Sequence, residues 1–201
     1  MQRRRCEACG AELSHFAVAR LEHAVHLAHD PSERGAALAL LARATGETGN
    51  ADAFDHAITA HRDLLDRHAG DSMLFNPFTF HEIHLRGLIA TGRARKAALL
   101  IQDNPPASTA PAPQWHVIER VTAGHALLAA DDVSGAEEAL RSALLAAETH
   151  RLPHRIQRIV RIARDANLRP LATEAEAALT GACAFLALHH QAARSPYPSD
   201  S

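Results

Sequence analysis

The first residues able to do chemistry are two thiols, in Cys6-Glu7-Ala8-Cys9-Gly10. A C-x2-C pair followed by glycine is half of a zinc knuckle, because the tight turn aims both thiolates at one point. His23 and His26 repeat the same two-residue gap. Cys6, Cys9, His23 and His26 would together make a Cys2His2 site, with His15 and His29 competing for the same places. The other reading is a metal-free remnant. The expected cofactor is accordingly none, or zinc.

The chain holds 15 histidines. His81-Glu82-Ile83-His84 looks at first like the metalloprotease helix motif, which needs histidines at i and i+4 with glutamate after the first. Here the second histidine comes at i+3, among Phe78, Ile83 and Leu85. His81 and His84 therefore read as polar positions at a core edge or on a concave face. With Arg86 and Arg120 they are candidate contacts of a partner-binding groove. His61 and His125 fall on apolar stripes and read as satisfied core histidines. Arg151, Arg155, Arg158, Arg161 and Arg164 step by three and four along a drifting polar stripe. This basic face is either solvated and paired with carboxylates, or a surface for an acidic or phosphate-bearing partner, since guanidinium forks suit bidentate contacts. No G-x-S-x-G elbow, phosphate-binding loop or dinucleotide fingerprint occurs. Cys183, between Ala182 and Ala184, reads as a buried thiol. The chain is expected not to be an enzyme.

The elements that would position these groups are helices. Of 201 residues, 47% are hydrophobic but only 4% aromatic, so the core is built largely from small side chains. Alanine favours helix and lets helices approach closely, and no β-branched run alternates with period two. Ser14 is a candidate cap for a first helix bearing Phe16, Leu21, Val25 and Ala28. Asp30-Pro31-Ser32 ends that helix and caps a second, with Leu38, Leu41 and Thr45. Phe54, Ile58, His61 and Leu65 mark a third over 51–69. Asn76-Pro77 opens a fourth that ends at Gly92, and a short fifth covers 94–101. Four prolines make 103–113 a loop. Helices resume at Gln114, before Ala136, at Pro153 and at Pro170.

Gly49, Gly92 and Gly135 stand 43 residues apart, each in similar text: Thr-Gly-Asn-Ala-Asp-Ala-Phe, Thr-Gly-Arg-Ala-Arg-Lys-Ala-Ala and Ser-Gly-Ala-Glu-Glu-Ala-Leu. These resemble the tight turns of tetratricopeptide hairpins. The expected fold is all-α, about nine helices in stacked antiparallel hairpins forming a tetratricopeptide-like superhelix, with an alanine-rich bundle as the alternative. Its expected organisation is a cysteine-bearing lead over 1–13 running into 14–29, a repeat domain over 14–192, and a disordered tail over 193–201.

A narrower resemblance covers most of 14–180. The text Gly70-Asp71-Ser72-Met73-Leu74-Phe75-Asn76-Pro77-Phe78-Thr79-Phe80-His81-Glu82 carries it, with Pro113-Gln114-Trp115-His116-Val117-Ile118-Glu119-Arg120-Val121-Thr122 and His150-Arg151-Leu152-Pro153-His154-Arg155-Ile156-Gln157-Arg158. It is similar to the C-terminal helical half of bacterial transcriptional regulators that carry a xenobiotic-response-element-type (XRE) helix-turn-helix. The resemblance implies a module that senses or docks a ligand, peptide or protein. The lead also resembles the short zinc ribbon of some such regulators, whose second C-x2-C falls here on Glu22 and Val25.

No helix-turn-helix can be placed ahead of the first hairpin, so DNA binding is expected only together with another subunit. The net charge of −2 also argues against coating nucleic acid. The expected partner is a protein or peptide, with a small ligand or a second copy of the chain as alternatives. No apolar stretch long enough to span a membrane occurs, and Met1-Gln2-Arg3-Arg4-Arg5 is not followed by a signal-type apolar segment, so a cytoplasmic location is expected.

Overall fold

The structure, a computed structural model, describes residues 16–68, 70, 72–103 and 112–193. Among the described residues the fold is all-helical, with no strand and nine helices in stacked hairpins. They are α1 (16–27), α2 (Pro31–Glu47), α3 (Ala51–Arg67), α4 (Pro77–Ala90), α5 (Ala94–Asp103), α6 (Pro113–Ala129), α7 (Val133–Thr149), α8 (Pro153–Asp165) and α9 (Arg169–Ala193).

Side-chain caps start the early helices. Asp30 accepts from the amides of Ser32 and Glu33 at 2.8 and 3.1 Å, with Pro31 in the first turn of α2. Asn50 accepts from Ala53 at the head of α3. These bonds satisfy donors that helix geometry leaves without partners. Asn76 does more. Its Oδ1 accepts from the Thr79 amide at 2.9 Å, and its Nδ2 donates to the carbonyls of Ser72 and Met73 and to Thr79 Oγ1. Both side chains are buried. This network locks the connector into α4 and plants Phe75 in the core.

Five helices end in the same way. In α2, α4, α6, α7 and α8 a left-handed residue follows the cap: Gly49, Gly92, Asp131, Arg151 and Asn167. Its amide bonds back three residues, and the next amide bonds back five, as in Asn50 to Thr45 and Leu168 to Ala163. This is the Schellman motif. Gly135 is not such a turn. It lies within α7, and Asp131 at φ 64° makes the reversal instead. The expected 43-residue glycine spacing holds from Gly49 to Gly92 and then stops.

The described helices fall into two compact units. The first holds α1 to α5 and residues 126–132, and the second holds 113–125 and α7 to α9. In the first, α2 packs on both α3 and α4, α3 on α4, and α4 on α5. That order, with first helices stacked on one another, is that of tetratricopeptide-like hairpins. The α2–α4 crossing is close: a Cβ at Gly46 would sit 3.1 Å from the Gly87 Cα, and one at Gly87 would overlap the Phe54 ring. In the second unit α7, α8 and α9 contact one another. Gly124 of α6 lies so near Leu140 that a Cβ would come within 2.6 Å of it. Arg158 Nη2 donates to Thr122 Oγ1 at 3.4 Å, tying α8 to α6.

Some bounds and exposures depart from expectation. α3 ends at Arg67, α5 continues to Asp103 and α9 begins at Arg169. Phe16, expected on the inner side of α1, is 71% exposed. His125 is exposed rather than in the core. The lead 1–13, Ser14, residues 104–111 and the tail 194–201 lie outside the described residues.

Candidate functional site: a groove on the first three helices

α2 is apolar on nearly every side from Gly35 to Ala42, so it must be covered on more than one face. α3 and α4 cover part of it. α1 covers the rest only partly, through Val18, Leu21 and Val25, each half-buried against the core. Between α1, α2 and α3 this leaves an open groove of about 760 Å³. Its floor is Leu38, Leu41, Ala57, Ala60 and Leu64, with Val25 on the α1 wall. Thr45 also lines it, but its hydroxyl is spent on the Leu41 carbonyl at 2.8 Å, so the floor is effectively apolar.

The rim is charged and unevenly so. α2 and α3 form an antiparallel hairpin, so the groove has a turn end and a far end. Asp52 and His56 stand toward the turn end, at the start of α3. Arg34 in the first turns of α2 and Arg67 at the end of α3 stand at the far end. Asp63 is also there, but its carboxylate lies 4.0 Å from the Arg62 guanidinium. Arg67 is exposed and donates its Nε–H to the Asp63 carbonyl at 2.8 Å. Glu22 stands on the α1 wall.

Behind this groove the same unit contains a chain of ring contacts. Phe75 meets His61 at 5.7 Å between centroids, His61 meets Phe80 at 5.6 Å, Phe80 meets His84 at 5.6 Å and His84 meets Phe54 at 6.2 Å. The Arg93 guanidinium lies 5.5 Å over Phe54, within cation–π reach. Its Nη1 donates to both Asp55 oxygens, at 2.8 and 2.6 Å. His61 is fully buried, and neither ring nitrogen has a hydrogen-bond partner. Burial pushes it down to about 4. Burial also pushes His84 down to about 4, helped by the charges of His81, Arg62 and Arg93 and opposed by Asp55. Burial lowers His81 as well. These rings are neutral packing elements near neutral pH. His61 is a core histidine, but aromatic faces rather than hydrogen bonds surround it.

The residues singled out from the sequence disperse. His81 is buried, and His84 is half-buried against the Phe54 and Phe80 rings. Arg86 is tied to Glu82 at 3.3 Å and to Glu47 at 3.6 Å. Arg120, in the second unit, is exposed beside buried Glu119, whose carboxyl burial pushes up. His23 and His26 are exposed on α1, one turn apart, while Cys6 and Cys9 lie outside the described residues. No group of three or more metal-ligating side chains occurs among the described residues. The arginine stripe drifts as its spacing requires. Arg151 is the left-handed turn residue, Arg155 is half-buried, Arg158 reaches α6, Arg161 is exposed, and Arg164 pairs with Glu176 of α9 at 2.8 Å. Among the described residues no helix is long and apolar enough to cross a membrane.

The groove residues were not picked out by motif, because none belongs to one. The available signal was the all-round apolar face of α2, which demands more cover than one hairpin partner supplies. Comparison with known proteins gives no match: no family model, curated protein or solved structure matches this chain.

Proposed function

We propose that the chain is a non-catalytic interaction module, of the kind that serves a transcriptional regulator, and that it receives a segment of a partner protein in the α1–α3 groove. The observation that carries this reading is the groove itself, an apolar floor about 760 Å³ in volume with charged residues confined to its rim. An apolar recess with a few placed polar groups is what a recognition site requires. The link to regulators rests on resemblance. The three matching segments each lead into the first helix of a hairpin, at the starts of α4, α6 and α8. They occupy one repeated architectural position. The first of them is the Asn76 capping network.

Site-specific photo-crosslinking in the native cell tests the proposal. A benzophenone side chain at position 53 or 60, both on the groove, is expected to give a discrete adduct. The same group at Leu145, which is 67% exposed on α7, is expected to give none. Filling the groove by Ala60→Trp should abolish the adduct at position 53. An adduct pattern the same at all three positions, or no adduct at 53 and 60, contradicts the reading.

A further inference from the structure

We infer that residues 72–76, which lead into α4, form an acid-released plug behind the groove: protonation of His61 drives Phe75 from its seat and takes away the support beneath the groove floor. This regulation rests on the groove as a binding site only for its consequence, since the plug itself needs no partner.

Phe75 is buried in a seat that only glycine leaves open, since a Cβ at Gly35 of α2 would overlap its ring. Leu38 and Leu64 share a core cluster with it, and both also line the groove floor. The Phe75 ring meets His61 at 5.7 Å, and Phe80 of α4 meets His61 at 5.6 Å. His61 has no exposed surface and no hydrogen-bond partner for either nitrogen. A neutral ring tolerates that place; an imidazolium, with two N–H donors and a charge, needs acceptors or water. Something must yield to admit them. His61 and Phe80 are fixed in helices. Phe75 is held by less: its amide donates to Ser72 Oγ at 3.1 Å, and Asn76 Nδ2 donates to the Ser72 and Met73 carbonyls. Met73 beside it is exposed, so water already borders the plug.

The ionisable groups on the surrounding elements do not replace water as that partner. Residues 72–76 carry none. On α4, burial pushes His81 and His84 down, and Glu82 is tied to Arg86 at 3.3 Å. On α3, Asp63 lies 4.0 Å from Arg62, and Asp55 is bound by Arg93. Arg34 of α2 and Glu22 of α1 line the groove. Burial is what pushes His61 down to about 4 from the ordinary 6.5. The open form, with His61 in water, binds the proton more readily than the closed one. Opening is therefore favoured as pH falls from 6.5 toward 4.

Amide hydrogen exchange of the full chain, read by NMR and corrected for the intrinsic effect of pH, tests this with no partner present, so that its result is separate from that of the crosslinking above. The reporters are Phe75 and Thr79, whose amides bond to the side chains of Ser72 and Asn76. From pH 7.5 to pH 5 their protection is expected to fall about 30-fold, the ratio set by about 4 in the closed form and 6.5 in the open one. At both pH values they should exchange at least about tenfold faster than Leu41 and Ile58, which open only with the whole unit. His61→Leu should abolish the fall, and so should His61→Gln, which keeps a polar side chain if the leucine variant folds poorly. His84→Gln should keep it. No fall in the parent, a fall that persists in the His61 variants, or one that disappears with His84→Gln overturns the inference. Equal rates at all four reporters would mean that acid unfolds the unit and releases no plug.

Discussion

His61 occupies an interior position with no exposed surface, flanked by Phe75 and Phe80, and with both nitrogens lacking partners. A neutral imidazole there costs some desolvation; a charged one costs far more. With a folded value of about 4 against an ordinary 6.5, it takes up no proton on acidification until well below the unfolded chain does. Its contribution to stability is therefore complete above 6.5 and is lost as pH falls from there toward 4. At pH 5 the loss from this one group is about 2 kcal/mol. We predict that His61→Leu, which removes the titrating group and two unpartnered polar atoms together, matches or exceeds the parent in thermal stability at pH 7.5. At pH 5 it should melt roughly 5 °C higher. Circular dichroism melts at the two pH values check this, and an unchanged acid loss in the variant would contradict it. That His61 belongs to the core was legible from its place on the Phe54–Ile58–Leu65 stripe. That it sits between two rings was not, because Phe75 and Phe80 reach it from a connector and from another helix.

At the scale of elements, one device recurs: five helices end with a left-handed residue and the same pair of backward hydrogen bonds. Where that residue is glycine the conformation is free of side-chain strain; where it is Asp131 it is not. Opposite signs follow for opposite substitutions. Gly92→Ala, with no atom within 4 Å of the new Cβ, should destabilise by about 1 kcal/mol through backbone strain alone. Asp131→Gly should stabilise by a similar amount. Urea titration of both variants measures this, and shifts of the same sign in the two would refute it. The contrast also explains what could be read from the sequence. Asp30, Asn50, Asn76, Pro77 and Pro153 announce helix starts by local chemistry, side chain to backbone or missing amide. Gly49 and Gly92 announce ends in the same way. Asp131, Arg151 and Asn167 do not, because their backbone is set by the helix ends on either side. Gly135, four residues on from Asp131, kept the spacing without the conformation.

For the molecule as a whole, function turns on the surface that the helices leave uncovered. α1 packs on the rest of the first unit through the half-buried Val18, Leu21 and Val25 and stops short of closing the α2–α3 face. The resulting groove joins residues from three helices, Val25, Leu38 and Leu64 among them, so no single stretch of sequence carries its signature. The sequence motifs lie elsewhere: His81 is buried, His84 is half-buried against Phe80, and the arginines of α8 divide among separate neighbours. The central claim, that the α1–α3 groove receives a segment of a partner protein, is tested most directly by amide chemical-shift mapping of the full chain titrated with an amphipathic peptide bearing a leucine face. The expected result is saturable shifts at Leu38, Leu41, Ala53, Ala57, Ala60 and Leu64, with α7, α8 and α9 unmoved. Shifts confined to α7–α9, or none at saturating peptide, would contradict it.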